Sequence, residues 1–319
     1  MPTKDMMKRV VLALFVALAA ILIWSHAMLT GRVDILTQLV IAGILNGGLY
    51  ALIAAGMALV FGVMKVINLA HGAFIILGSY VSFWLFTLYG INPFLSIAIA
   101  FLLLLLMGFA VQRYLIERLM PYGPDPPLLV TFGLLLTLHY AMIFLWKADV
   151  RSIDFYLGSA SFGGLIVEYR LLLIFSFGVL TLLILHQFLK KTYLGKAVRA
   201  VAMDRNVASL MGINVKKVNA VSFAIGTGLA GVAGPLIAVS FGFEPASGTY
   251  YTILAFLVVV LGGIGSISGT LIAGLVIGLV MGVGTYFLGQ GVRELIILII
   301  FLLTLILKPT GLLAKFRTF

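Results

Sequence analysis

Side chains able to do acid–base, nucleophilic or metal chemistry are few in this 319-residue chain. Its ten carboxylates are Asp5, Asp34, Glu117, Asp125, Asp149, Asp154, Glu168, Asp204, Glu244 and Glu294. Mapped onto the apolar runs, each falls in a loop or at a helix end. A proton-coupled transporter needs an acid within the membrane to take up and release its proton, so their placement weighs against that class. It does not weigh against a channel. H-E-x-x-H, G-x-S-x-G and paired-carboxylate signatures are missing. The only Gly-Lys pair, Gly195–Lys196, lacks the upstream glycine of a P-loop, so the chain does not cradle ATP by that motif. There are no cysteines, which excludes disulfides, thiolate metal sites and a cysteine nucleophile.

The remaining candidates are polar groups inside apolar runs. His139 sits well within a span and is expected to be neutral, bonded to a backbone or hydroxyl group. Asn46 lies in a long apolar run beside Gly47 and Gly48, where a buried amide must either tie helices together or face a path. In "VINLAHGAF" Asn68 can cap a helix by accepting from a free backbone N–H. His71 then falls near the first turn, as part of a capped helix start or as a gate. "LGGIGSISGTLIAG" carries too many glycines and serines to remain helical. Gly262, Gly263, Gly265 and Ser266 therefore mark either a broken helix beside a translocation path or a cytoplasmic turn. Gly43 and Gly47, then Gly274, Gly278 and Gly282, then Gly226, Ala230 and Gly234, repeat every four residues. That spacing lets helix backbones approach closely in lipid.

The elements that must carry these residues are membrane helices. Mean hydropathy is +1.22, and 63% of residues are hydrophobic against 10% charged. A soluble domain has too much water-facing surface for that composition. The chain reads as an all-α, polytopic membrane protein of about ten transmembrane or partly embedded helices, some short or broken. The apolar segments are Val10–Leu29, Ile35–Met64, Val66–Leu88, Pro93–Val111, Pro127–Trp146, Arg170–Leu189, Val218–Phe241, Tyr251–Leu261, Thr270–Leu288 and Leu295–Leu307. The eighth is too short to span, and the second is expected to be interrupted at Asn46–Gly48. The first, with its basic start and small-x-small end, also has the form of a secretory signal. Residues 1–319 read as a single membrane domain. Ser152–Gly164 reads as an outside loop with a short helix on the membrane surface.

Charge sets the orientation. With the N-terminus inside and the spans alternating, only Arg32, Lys147, Arg151, Arg170 and Arg293 of the 21 Lys and Arg residues fall outside. That is the positive-inside pattern, and it puts both termini in the cytoplasm. It also explains the net charge of +11 without nucleic acid. Seven of the basic residues crowd into 190–217, at Lys190, Lys191, Lys196, Arg199, Arg205, Lys216 and Lys217. Here Leu194, Val198 and Val201 recur at helical spacing. Asp204 or Asn206 can cap a second short helix, which Gly212 would end. Attraction to anionic lipid accounts for the charge. The apolar stripe and the small residues around it instead suit docking into a partner's groove.

The run "GKAVRAVAMDRNVASLMGINVKKV" resembles the cytoplasmic coupling loop of branched-chain amino acid permeases in ABC importers. "LNGGLYALIAAGMALVFGVMKVINLAHGAFIILGSY" and "LGGIGSISGTLIAGLVIG" resemble the family's other two motifs, in the same order. The match runs from about residue 35 to the C-terminus and looks more like the shorter of the two permease types that pair in such systems. The resemblance implies a bacterial inner-membrane permease subunit with a second homologous permease. It implies two cytoplasmic ATPases, which would hold ATP and Mg, and an extracytoplasmic binding protein. It places Gly195, Arg199, Ala200, Asp204, Ala208 and Gly212 at the ATPase contact, where a bulky residue at Gly195 or Ala200 would uncouple ATPase from transport. No cofactor is implied in this chain. Branched-chain or other hydrophobic amino acids are the implied cargo, with urea, short amides or other amino acids as alternatives. A self-sufficient channel or secondary transporter is the rival of another class.

Overall fold

Glycine placement decides which helices cross. The structure, a computed structural model, describes residues 33–123, 125–162, 164–289 and 292–307. The first apolar segment, its signal-like reading and both termini lie outside the described residues.

Helix α1, Val33–Met64, is 32 residues long and continuous. Asn46–Gly48 does not interrupt it. In water these glycines would weaken a helix. In lipid the backbone must bond internally, and glycines remain where a neighbour comes close. A Cβ at Gly47 would lie 2.7 Å from the Leu275 Cα, and one at Gly48 would lie 2.7 Å from a Phe175 ring carbon.

After α1, a non-helical Lys65–Ala70 link leads to α2, His71–Tyr89, ended by Gly90 in the left-handed conformation. Asn92 caps α3, Pro93–Val111, with its side chain accepting from the Phe94 N–H. The helix continues through a π turn, Gln112–Ile116. Helix α4 is Asp125–Trp146. Next, residues 152–158 run extended, and Ser159–Phe162 (β1) pairs antiparallel with Leu165–Glu168 (β2). The expected surface helix is thus a β-hairpin, held to α1 by the Gln38 side chain, which accepts from the Ile166 N–H at 3.0 Å.

The later helices are α5, Tyr169–Lys191; α6, Tyr193–Met203; α7, Arg205–Leu210; and α8, Val215–Ser240. They are followed by α9, Ser247–Gly262; α10, Ile267–Leu288; and α11, Arg293–Leu307. Seven of the described helices are long and apolar enough to cross a membrane: α1 to α5, α8 and α10. Helix α9 has 16 residues. At 1.5 Å per residue it is about 24 Å long, short of a hydrocarbon core of about 30 Å.

Helices α1 and α8 form the centre, with 94% and 89% of their apolar windows buried. The repeated glycines lie on these contacts. Gly43 and Gly47 of α1 face Gly274, Gly278 and Gly282 of α10. Gly226 of α8 faces Gly56 of α1, Gly231 faces Ala100 of α3, and Gly234 faces the Gly78–Ser79 backbone of α2. Helices α3, α4, α5 and α10 wrap this centre and present apolar side chains outward.

Candidate functional site

Three places hold most of the residues singled out by the sequence. The first surrounds the start of α2. Asn68 is buried, and its side chain accepts from the Ala70 N–H at 3.1 Å within the link. It does not cap α2 as expected, since the N-cap residue is Ala70 and no side chain bonds there. His71 is wholly buried where α1 and α8 cross, and its Nε2–H donates to the Ile53 carbonyl at 2.8 Å. Two threonines clamp the link before α2. Thr131 of α4 accepts from the Leu69 N–H at 3.3 Å, and Thr252 of α9 accepts from the Gly72 N–H at 2.9 Å. His71 is therefore a packed brace between helices. The far ends of both side chains, Asn68 Nδ2 and His71 Nδ1, are buried with no bonding partner. His139 is half-buried, and its Nδ1 lies 3.2 Å from the Pro245 carbonyl, the backbone partner expected for it. Asn46 donates from Nδ2 to Ala42 in its own helix at 3.0 Å.

The glycine-serine run separates α9 from α10 by a tight turn. Gly263 and Gly265 take φ of 93° and 79°, a region that favours glycine. Ser266 caps α10 by accepting from the Gly269 N–H at 3.0 Å. Gly262 and Gly269 touch so closely that a Cβ at Gly262 would lie 2.6 Å from the Gly269 carbonyl. The turn is buried apart from Ile264, which is half-buried. The break is real, and it closes a hairpin between α9 and α10. Ser266→Ala should cost about 1 kcal/mol of stability, the usual value of a lost N-cap, read as a lower thermal midpoint in detergent.

The third place is the basic segment. It forms an elbow of α6 and α7. Asp204 caps α7, accepting from the Asn206 and Val207 N–H groups at 2.8 and 2.9 Å. Gly212 ends it with φ 81°. Most of the apolar stripe faces inward, Leu194 being its one exposed member. Val198 and Val201 are 1% and 3% exposed, and Ala197 and Ala208 are also buried. Helix α6 packs on α1, α5 and α8. Gly195 lacks a side chain because a Cβ there would lie 2.5 Å from the Leu189 Cα. Its small size serves the α5–α6 bend. Arg199 and Ala200 are half-buried.

What the elbow offers outward is its tip. Met203, Val207, Leu210 and Met211 are exposed apolar side chains around α7. Lys196, Arg205, Lys216 and Lys217 surround them, all exposed. A shallow cleft beside the tip is lined by Glu117, Met120, Arg205 and Lys216. Glu117 ties this region together: its Oε2 accepts from Gln112 of the π turn at 3.0 Å and from Asn219 of α8 at 3.3 Å.

The family model described as "Branched-chain amino acid transport system / permease component" matches residues 39–306. The chain belongs to this permease family. It is 31% identical over 293 residues to the high-affinity branched-chain amino acid transport system permease protein BraD of Pseudomonas aeruginosa, covering 87% of this chain and 95% of that protein. It is 31% identical to LivH of Escherichia coli, with 86% and 94% covered. It is also 31% identical to a probable LivH of Methanocaldococcus jannaschii, with 87% and 93% covered.

The permease is thus a multi-pass membrane protein, and its exposed apolar helix faces are surfaces for lipid or for other subunits. The sequence locates the elbow, but the residues Val198, Val201 and Ala208 that it offers for docking are buried within the chain. Met203, Val207, Leu210 and Met211 were legible only as apolar residues within a polar, charged hexapeptide and its flanks. Glu117 was passed over as a loop acid. Its position five residues after Gln112, across a π turn, leaves no trace in a 3.6-residue periodicity.

Proposed function

We propose that this permease is one membrane subunit of an importer that carries branched-chain or other hydrophobic amino acids inward across the bacterial inner membrane. A second permease completes the path, two cytoplasmic ATPases holding ATP and Mg supply the energy, and an extracytoplasmic binding protein delivers the cargo. The elbow carries this reading. Its inner face is fixed to the two central helices and to α5, and its outer face offers an apolar tip with cations beside it. A tip of this kind suits the groove of a soluble partner, and a push on it reaches α1, α5 and α8 without slack. The permease contributes the path and the lever, and the covalent chemistry belongs to the ATPases. The positions Gly195, Arg199, Ala200, Asp204, Ala208 and Gly212 shape and hold the lever. The apolar side chains of the tip make the contact.

The test is reconstitution. Vesicles holding both permeases, the ATPases, the binding protein and ATP should accumulate labelled leucine. Vesicles holding this chain alone should not. Uptake by the chain alone would establish a channel or a secondary transporter instead. Uptake of urea or a short amide in place of leucine would keep the machine and change its cargo.

A further inference from the structure

The Trp146 end of α4 and the Tyr89 end of α2 enclose, with α3, an open groove that the coupling elbow does not touch. By the charge pattern these ends face outward. Tyr80, Trp84, Leu88, Leu103 and Trp146 are among the residues lining it, and its volume is about 630 Å³, within the range of about 300–1,000 Å³ usual for small-molecule sites. Tyr80 stacks on Trp146 with ring centroids 4.3 Å apart and meets Phe243 edge-on at 5.0 Å.

Arg151 borders this wall. Its guanidinium lies 5.1 Å from the Phe83 ring centre and 5.3 Å from that of Trp84. One Nη donates to the Trp146 carbonyl at 3.0 Å. Backbone bonds of 2.9 and 2.8 Å in both directions with Phe243 hold the loop in place.

Three buried donor side chains line or border this wall. Trp84 Nε1 and Arg151 Nε have no hydrogen-bond partner, and the Tyr80 hydroxyl has only a weak side-chain contact with Arg151. Arg151, Glu244 and Asp149 are all near enough to act on the Tyr80 hydroxyl by charge. An aromatic belt at the membrane surface accounts for Tyr89, which is 73% exposed. It does not account for Tyr80, which is 0% exposed, since buried donors are costly to leave unpaired.

We propose that this groove binds the amino acid carried, before it enters the membrane path. The carboxylate takes the free donors of Arg151, Tyr80 and Trp84. The apolar side chain lies along the aromatic wall, and the ammonium turns toward Glu244 and Asp149. A planar guanidinium beside neutral donors is suited to a carboxylate. The carboxylates near this wall make a zwitterion a better fit than a simple anion. This site rests on the transport reading above.

The test uses the full chain in lipid nanodiscs with radiolabelled L-leucine. Saturable binding is expected, with weak competition from isocaproate, which lacks the ammonium, and from isoamylamine, which lacks the carboxylate. Tyr80→Phe should weaken binding about tenfold, and Arg151→Gln about ten- to a hundredfold. Tyr80→Phe removes a hydroxyl whose one contact is a weak one with Arg151, so its melting temperature should stay close to that of the wild type. Leucine binding unchanged in both Tyr80→Phe and Trp84→Phe would overturn the site. Isocaproate competing as well as leucine would also overturn it, marking a place for a lipid or another anionic amphiphile. Leucine uptake by the wild-type transporter, measured alongside, separates the two readings. Uptake with no binding here removes only the groove, whereas no uptake removes both.

Discussion

Gly274→Leu should leave almost no correctly assembled permease. A Cβ at Gly274 would lie 2.5 Å from the backbone N of Ala51 and 2.6 Å from its Cβ. Neither atom can rotate away, so α10 would have to lift off α1. The same displacement would open the contacts of Gly43 with Gly278 and of Gly47 with Leu275, because all lie on one rigid helix pair. Overpacking typically costs about 1–3 kcal/mol and occasionally more. Here the whole helix crossing is at stake, and the expected cost is at or above the top of that range. Total stabilities of about 5–15 kcal/mol leave little room for it. The measurements are the monodisperse fraction on size exclusion and the thermal midpoint in detergent. Gly133→Leu is the control, since nothing lies within 4 Å of a Cβ there. A Gly274→Leu protein that melts like the control would show that the α1–α10 crossing is looser than these distances require.

The spans were legible because lipid leaves the chain little choice. Satisfying every backbone group internally forces helices wherever the sequence stays apolar. Pro93–Val111 was read to the residue, helped by the Asn92 cap and the proline at the first helical position. The small-residue repeats correctly announced close crossings, although their partners were not legible. Gly47 and Gly48 were misread for a related reason. Glycine is a breaker by propensity, yet in this setting it marks the approach of α10 and α5. The β1–β2 hairpin escaped because four-residue strands are too short for an alternating pattern to stand out. On the elbow, periodicity groups Leu194, Val198 and Val201, of which Val198 and Val201 share the buried face and Leu194 is exposed. It carries no information on whether that face meets the chain's own core or another protein. Residue Glu117 had no sequence signal at all, since Asn219, one of its two partners, lies about a hundred positions away.

The inward turn of that stripe moves the decisive mutation from the elbow's base to its tip. Gly195→Leu would drive a side chain into the Leu189 Cα and the Phe188 carbonyl, so lost transport would report a broken bend. Leu210→Glu avoids this ambiguity. Leu210 is 87% exposed and its neighbour Met211 is 78% exposed, so a charge at either position costs the fold little. At a buried contact, by contrast, a single apolar anchor is commonly worth about 2–4 kcal/mol. Leu210→Glu should therefore insert and melt like the wild type. Its affinity for the ATPases should fall roughly thirty- to a thousandfold, and ATP-driven uptake should stop. Asp204→Ala, which only uncaps α7, should give a partial loss, because about 1 kcal/mol of helix stability is at stake. Pull-down of the ATPases by the permease, together with uptake in vesicles, reads both variants. Normal uptake by Leu210→Glu and by Val207→Glu would mean that α7 points at nothing, and the contact with the ATPases would have to be sought elsewhere on the chain.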